Sequence, residues 1–279
     1  MYERILIPVD GSSLSESVIP YAFGLGKAIE ARVAFVRIIA NESERTHAEV
    51  ELSALAHGLD ANFRVVESTD SIPATILREA HVVPHTLVAM AAPGRSDAAT
   101  SVLGSVARKL VHISGESILV FRGTGKPAPE ADFTVSEVLL PLDGSTLSES
   151  MRLEAISWAR ALGARLSIVQ VLPETLSNNQ LLASYDTLDV SYVASHANKI
   201  SHEFGIETDY QVFHGHPADK LIEYIDGRQD VLVVMATRGH NPLHSTLVGS
   251  VTSKLVRNAG VPVIIQAPKA LMGDLPSTD

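Results

Sequence analysis

The sequence contains no cysteine among its 279 residues. The chain can therefore form no disulfide, hold no metal through thiolates and use no thiol nucleophile. Basic residues are also scarce, since 22 Lys and Arg stand against 32 Asp and Glu and give a formal net charge of -10. They form no cluster, so a phosphodiester backbone would be repelled, and we expect no nucleic-acid partner.

Long apolar runs are missing as well. No stretch approaches the roughly 20 apolar residues that cross a bilayer, and the run after Met1 is too short for a signal peptide. We therefore expect no membrane partner and a cytoplasmic location. The 46% of residues that are hydrophobic are enough to fill the cores of compact domains.

An internal repeat organises the chain. Residues 5–17, ILIPVDGSSLSES, recur 133 positions later as residues 138–150, VLLPLDGSTLSES. The length suits two domains, which we place at residues 1–125 and 134–270. Between them we predict a linker at 126–133, because residues 123–130 are rich in Gly and Pro and lack periodicity, and after them a tail at 271–279.

In each copy, short apolar runs alternate with longer segments of helical period, which is typical of a parallel sheet covered on both faces. We predict an α/β fold of two tandem, open, doubly wound domains, each with a five-stranded parallel sheet and four intervening helices. The predicted strands are Arg4 to Pro8, Arg32 to Ile39, Asn62 to Val66, Thr86 to Ala91, Ser117 to Phe121, Glu137 to Pro141, Arg165 to Val171, Glu207 to Val212, Val231 to Met235 and Pro262 to Gln266.

The first helix of each copy is predicted to begin with a capping box. Ser13 with Glu16, and Thr146 with Glu149, have the spacing at which the hydroxyl accepts from the third amide and the carboxylate reaches back.

Two loops of each copy are candidates for holding an anion. The first follows strand one and contains Asp10 or Asp143. The second follows strand four and contains a glycine, nine further residues and a Gly-Ser-Val at a helix start. Glycine lets the backbone approach a ligand, and amides at a helix N-terminus favour phosphate oxygens. In open parallel sheets, both loops emerge where ligands bind.

Simpler interpretations of these residues remain open. Gly94 and Gly239 would also suit a left-handed turn, and Asp-Gly-Ser is ordinary turn chemistry. His214 and His216, with other histidines in the second phosphate loop, could suggest a metal. No third ligand is fixed, so we expect no metal site.

Taken together, these motifs resemble the universal stress protein family in its tandem two-domain form. The resemblance covers both copies apart from the linker and the tail, and implies an adenine nucleotide α-hydrolase-like fold. It also implies ATP as the cofactor, with or without Mg²⁺, an intrachain pseudo-dimer through the last strands, and a homodimer as a further assembly. We expect no catalytic residue, because the sequence has no Walker Gly-Lys-Ser/Thr motif, no obvious general base and no cysteine.

The resemblance implies two sets of binding residues. The base and sugar side would consist of Pro8, Asp10 and Ile38 in the first copy, and of Pro141, Asp143 and Val171 in the second. The phosphate side would consist of Gly94, Gly104, Ser105 and Val106, matched by Gly239, Gly249, Ser250 and Val251. Ala236, with Ala91 in the first copy, stands where the family has its first glycine, and we count Ala236 with the site.

The second copy is predicted to be the stronger site, because Pro93 and Asp97 flank the glycine of the first, and a carboxylate near phosphates is unfavourable. Three functions remain open at this point. They are a nucleotide-dependent regulatory protein, a slow ATP hydrolase related by fold, and a stress protein that acts through protein contacts without any nucleotide.

Overall fold

The computed structural model describes residues 1–59, 61–92, 103–122, 134–172, 180–237 and 248–266, with the backbone alone for 180–189. The predicted linker at 126–133 and the tail at 271–279 lie outside these ranges, so their boundaries stay predictions.

The first half of the chain alternates strands and helices. Its elements are β1 (Arg4–Pro8), α1 (Ser13–Glu16), α2 (Ile19–Ala28), β2 (Arg32–Ile39), α3 (Arg45–His57), β3 (Asn62–Glu67), α4 (Ile72–His81), β4 (Thr86–Ala91), α5 (Ser105–Ser114) and β5 (Ser117–Phe121). A short 3-10 helix, Glu42–Glu44, leads into α3.

The second half repeats the pattern. Its elements are β6 (Glu137–Leu142), α6 (Thr146–Ser150), α7 (Arg152–Leu162), β7 (Arg165–Leu172), α8 (Gln180–Phe204), β8 (Thr208–His214), α9 (Pro217–Ile225), β9 (Val231–Ala236), α10 (Ser250–Asn258) and β10 (Val263–Gln266). The clearest departure from symmetry is α8, which has 25 residues where α3 has 13.

All ten strands join one sheet, in the order β3-β2-β1-β4-β5-β10-β9-β6-β7-β8. Within each half the strands are parallel, whereas β5 and β10 pair antiparallel, with Ile264 opposite Leu119. The predicted tandem doubly wound α/β fold is confirmed, and the last strands join the two halves as expected.

Two apolar layers cover the sheet, one on each face. One layer packs α2, α3, α7 and α8 against the strands, with Leu25 and Trp158 fully buried. The other packs α4, α5, α9 and α10, with Leu110 and Leu255 at its centre. Strands buried on both faces explain the nearly continuous apolar runs in the sequence.

The predicted strands need only small corrections. β3 runs one residue further, to Glu67, and β8 covers Thr208–His214, where the sequence predicted an end at Val212. The predicted first helix of each half is two helices, because the chain breaks at Ser17 and Val18 and again at Met151. The prediction of four helices per half was therefore wrong.

The capping prediction was wrong by one residue. The N-caps are Ser12 and Ser145, whose hydroxyls accept from the amides of Ser15 and Ser148 at 3.1 Å. Asp10 determines which serine caps the helix, because its carboxylate accepts hydrogen bonds from both the amide and the hydroxyl of Ser12. Ser13 is left as the first helical residue.

None of the helices in the described ranges is long and apolar enough to cross a membrane.

Candidate functional site

The candidate site of the first half lies where the strand order reverses. β1 pairs with β2 on one side and with β4 on the other, so the crevice between β2 and β4 opens beyond the carboxyl end of β1. The chain leaves β1 at Pro8 and turns at Gly11, whose φ of 78° favours glycine. This is the position at which open α/β sheets bind ligands.

Asp10 organises the turn. Its Oδ1 accepts from the amide of Ser12 at 3.0 Å and from the Ser12 hydroxyl at 2.5 Å, while its own amide donates to Ser15 Oγ at 3.2 Å. Partial burial opposes ionisation, but the hydrogen bonds from Ser12 and Ser15 and the charge of Arg37 outweigh it and hold the pKa of Asp10 below its ordinary value. The site thus presents an ionised carboxylate with a fixed orientation.

Helix α5 points its N-terminus at the same crevice. Its N-cap is Gly104, at φ -52° and ψ 155°, which has no side chain to accept the amides of the first turn. Those amides and the partial positive charge of the helix end are suited to an anionic group. Ser105 is exposed beside them and adds a hydroxyl.

A cavity of about 260 Å³ connects these parts. Its lining includes six of the seven residues that the sequence assigns to the first site: Pro8, Asp10, Ile38, Gly104, Ser105 and Val106. Gly94, the seventh, lies outside the described residues. The structure therefore brings the base side and the phosphate side of the predicted site into one cavity.

Several lining residues were missed by the sequence reasoning. Leu14, Ile72, Ile76 and Met90 form an apolar wall, and Ser15 adds a hydroxyl. The sequence shows no clear signal for them, because it does not reveal that Leu14 is 36% and Ile72 is 47% exposed. Exposed apolar side chains around a polar floor are typical of small-molecule sites.

The second half repeats the geometry of the turn. Asp143 Oδ1 accepts from the Ser145 amide at 3.0 Å and from its hydroxyl at 2.6 Å, and Gly144 has a φ of 79°. Pro141 lies near the carboxyl end of β6 and Val171 near the carboxyl end of β7, and both are half-buried. The same sequence has built the same local structure twice.

Helix α10 is fastened to the end of β9. Gly249 caps the helix without a side-chain contact, and its amide donates to the carbonyl of Thr237 at 2.7 Å. The buried Ala236 accepts from the Thr252 hydroxyl at 3.1 Å through its carbonyl. Ser250 is exposed and Val251 half-buried at the helix start. Gly239 lies outside the described residues, so the middle of this phosphate loop stays a prediction.

Metal-binding groups are not assembled in the part of the chain that the structure describes. It contains no cluster of three His, Cys, Asp or Glu side chains placed to hold a metal ion. The chemistry that the first site offers is therefore that of backbone amides, hydroxyls, one carboxylate and an apolar wall, which can bind an organic anion.

Comparison with known proteins identifies relatives over both halves. The model of the family described as "Universal stress protein family" matches residues 1–122 and 135–266. A universal stress protein of Mycolicibacterium smegmatis is 22% identical, over 95% of this chain and 97% of that protein. One from Methanocaldococcus jannaschii is 26% identical over 141 residues, or 48% of this chain and 83% of the relative.

Solved structures share the architecture. The crystal structure of a universal stress protein from Archaeoglobus fulgidus superposes with a TM-score of 0.67 at 18% identity, covering 95% of this chain and 98% of that one. At this identity the likeness concerns the fold.

Proposed function

This chain belongs to the universal stress protein family, and on that premise we propose that it is a stress-associated regulatory protein that binds an adenine nucleotide and acts through nucleotide-dependent conformation or assembly. The observation that carries the proposal is the first-half cavity, whose lining combines an apolar wall with a helix N-terminus that no side chain caps. A molecule with a flat base and a phosphate tail has the matching distribution of polarity.

The lining residues support one orientation for ATP in this cavity. The adenine and ribose would lie against Ile38, Ile72 and Pro8, with Asp10 accepting from a ribose or base donor. The phosphates would receive the amides that begin α5 and the hydroxyl of Ser105. ATP would supply the charge and bulk that change the surface of the protein, and a cytoplasmic location suits such a ligand.

Binding alone is sufficient for this function. Among the described lining residues, the only carboxylate is Asp10, and its lowered pKa makes it a weak base. We therefore propose binding without turnover. Sustained phosphate release by the purified chain would contradict this part of the proposal.

A charge placed at the N-cap of α5 tests the site. Gly104 has extended, negative-φ backbone that any residue adopts, and Asp is a good N-cap, so Gly104→Asp should fold with unchanged or higher stability. Its carboxylate would face the phosphates and compete for the same amides. We expect ATP affinity in isothermal titration to fall at least tenfold, which corresponds to about 1.4 kcal/mol.

The matched control is Gly104→Asn, which has nearly the same size and the same capping ability without the charge. It should retain more ATP affinity than Gly104→Asp. The pair Gly249→Asp and Gly249→Asn tests the second half in the same way, and the change in stoichiometry assigns each bound nucleotide to a half. Equal ATP affinity in all four variants and the unmodified chain would overturn the proposal.

A ligand-free stress protein is the second candidate, and Ala91 and Ala236 favour it because they replace the first glycine of the family pattern. Mass spectrometry of protein purified without added nucleotide separates the two. Retained ATP, ADP or AMP supports the binding function. If no nucleotide is retained and none binds in titration, the ligand-free function is correct.

A further inference from the structure

A second cavity of the first half, of about 230 Å³, lies toward the amino ends of β1, β2 and β3. We call it the arginine cavity, because Arg4, Arg32 and Arg64 line it, one from each strand. Arg4 is the register partner of Arg32, and Val36 is the partner of Arg64. Register partners on parallel strands share a face, so the three arginines project from the same face of the sheet.

Like charges at partnered positions of neighbouring strands destabilise a sheet unless an anion lies between them. The second half shows how this chain satisfies the same position. There, 133 residues later, Glu137 replaces Arg4 and Arg165 replaces Arg32, and the two form an ion pair. Glu137 also accepts from Arg228 at 3.0 Å. The first half has two cations where the second half has a carboxylate and a cation.

Carboxylates among the described residues neutralise only part of the positive charge that lines the arginine cavity. Arg64 pairs with Glu79 at 2.9 Å. Arg4 donates to the uncharged carbonyls of Glu79 and Ala80, at 2.7 and 3.1 Å, and to the Thr86 hydroxyl. The Glu79 carboxylate also attracts Arg4, so one buried anion serves two arginines. Within the described chain, neither Arg32 nor Glu3, the remaining charged groups of the lining, forms an ion pair. An excess of positive charge therefore stands in a chain whose net charge is -10.

Apart from Asn62, the remaining residues of the lining are apolar. Leu6 and Val36 are buried, and Ala34 and Val83 are half-buried around the same space. In the second half, the residues 145 positions after Glu79 and Val83 are Tyr224 and Arg228. The guanidinium of Arg228 lies over the Tyr224 ring, 5.8 Å from its centre, and the Tyr224 hydroxyl donates to Glu137 at 2.8 Å. At these two positions the second half thus has an aromatic ring and a guanidinium, where the first half has Glu79 and the smaller Val83.

We propose that the arginine cavity binds a small carboxylate with an apolar body. The carboxylate lies at Arg32, with Arg4 and Arg64 beside it, and takes the place that Glu137 holds in the second half. The hydrocarbon part packs against Leu6, Ala34 and Val36. We place it beside the carboxylate because the Tyr224 ring lies beside Glu137 in the second half. A volume of about 230 Å³ limits the ligand to roughly the size of one ring.

The probe is benzoate, titrated into the full chain by isothermal calorimetry at low ionic strength. Benzamide has the same shape without the charge, and inorganic phosphate has the charge without the apolar body. We expect benzoate to bind at least tenfold more tightly than either. An absence of benzoate binding at millimolar concentration, or equal binding of phosphate or benzamide, overturns the proposal.

Two variants and a control locate the probe. Arg32→Gln removes an exposed cation that pairs with no described carboxylate, and Ala34→Leu fills the floor, so each should weaken benzoate binding at least tenfold. Lys27→Gln removes an exposed cation of α2 and should leave the affinity unchanged. Unchanged benzoate affinity in Arg32→Gln, or displacement of benzoate by ATP, overturns the proposal, since the nucleotide cavity is a separate space.

Discussion

At the scale of single residues, Glu137 is a buried carboxylate of the second half that two arginines share. Its side chain is fully buried beneath Arg165 and Arg228, and Tyr224 donates to it as well. Burial opposes its ionisation, but the hydrogen bonds from Arg165, Tyr224 and Arg228 outweigh that cost and hold its pKa below the ordinary value of 4.5. The carboxylate is therefore stable only together with its partners.

Replacing Glu137 by Gln should lower the free energy of unfolding by about 3 kcal/mol, because two arginines lose their shared anion. Urea denaturation at neutral pH measures the loss. Arg165→Gln is the matched control and should cost less, since Glu137 keeps Arg228 and Tyr224 and Arg165 is 41% exposed. Equal losses in both variants would contradict this account.

The same residue makes stability depend on pH. A carboxyl whose pKa is lower in the folded chain stabilises the fold above its ordinary pKa, and this contribution disappears as pH falls through the folded value. The difference between the native chain and Glu137→Gln should therefore shrink as the pH is lowered below 4.5. A constant difference across that range would show that Glu137 acts through its shape alone.

Asp10 after a strand and Gly104 before a helix could be located from their spacing in the sequence, and both line the first-half cavity. Their role in binding stays a prediction. The capping serine was misplaced, because Ser12 and Ser13 are equal candidates until the Asp10 carboxylate is known to hold Ser12. Ile72 was missed because its contact with the cavity depends on how α4 packs.

At the scale of elements, the pairing of β5 with β10 holds the halves together. Ile264 faces Leu119 across this antiparallel ladder, and both are fully buried. The sequence identified both strands but could not supply their register, which depends on how the two halves meet. The helix break at Ser17 had a signal that the sequence prediction did not use, since Pro20 lies in the first turn of α2 and proline favours a helix start over a helix interior. The break at Met151 has no such signal, because Leu153 stands at the corresponding position.

Ile264→Asp should therefore be severely destabilising, by about 4 kcal/mol or more, because it buries an unpaired carboxylate in the middle of the sheet. Tyr210→Asp is the control, since Tyr210 is 40% exposed on the edge strand β8, and it should cost less than about 1 kcal/mol. Urea denaturation of both variants, followed by circular dichroism, compares them. Similar stabilities would mean that the central ladder contributes little.

At the scale of the whole molecule, the only tryptophan reports on the contact between the halves. Trp158 is fully buried, packs at 5.7 Å from the ring of Tyr2, and donates to Glu154 at 3.0 Å. Tyr2 comes from the first half and donates to the same carboxylate oxygen at 2.8 Å. Trp158 fluorescence should therefore change when the halves separate, even if each keeps its helices.

Because one sheet and one junction connect both halves, we expect a single cooperative unfolding transition. Tryptophan fluorescence and far-ultraviolet circular dichroism should give the same midpoint in urea. Tyr2→Phe, which removes the hydrogen bond to Glu154, should lower both midpoints together by the equivalent of about 1 kcal/mol. If fluorescence changed at a lower urea concentration than circular dichroism, the halves would be independent units.

The antiparallel join between β5 and β10 also fixes where two ligands would stand. Every strand of the first half ends at one rim of the sheet, and every strand of the second half ends at the opposite rim. Ligands bound at Asp10 and Asp143 would be separated by at least the length of one strand, which is about 16 Å for five residues. Physiological salt screens the interaction between exposed charges beyond about 8 Å. The phosphates of the two ligands would not repel one another, so any cooperativity between the two sites would have to pass through the shared backbone.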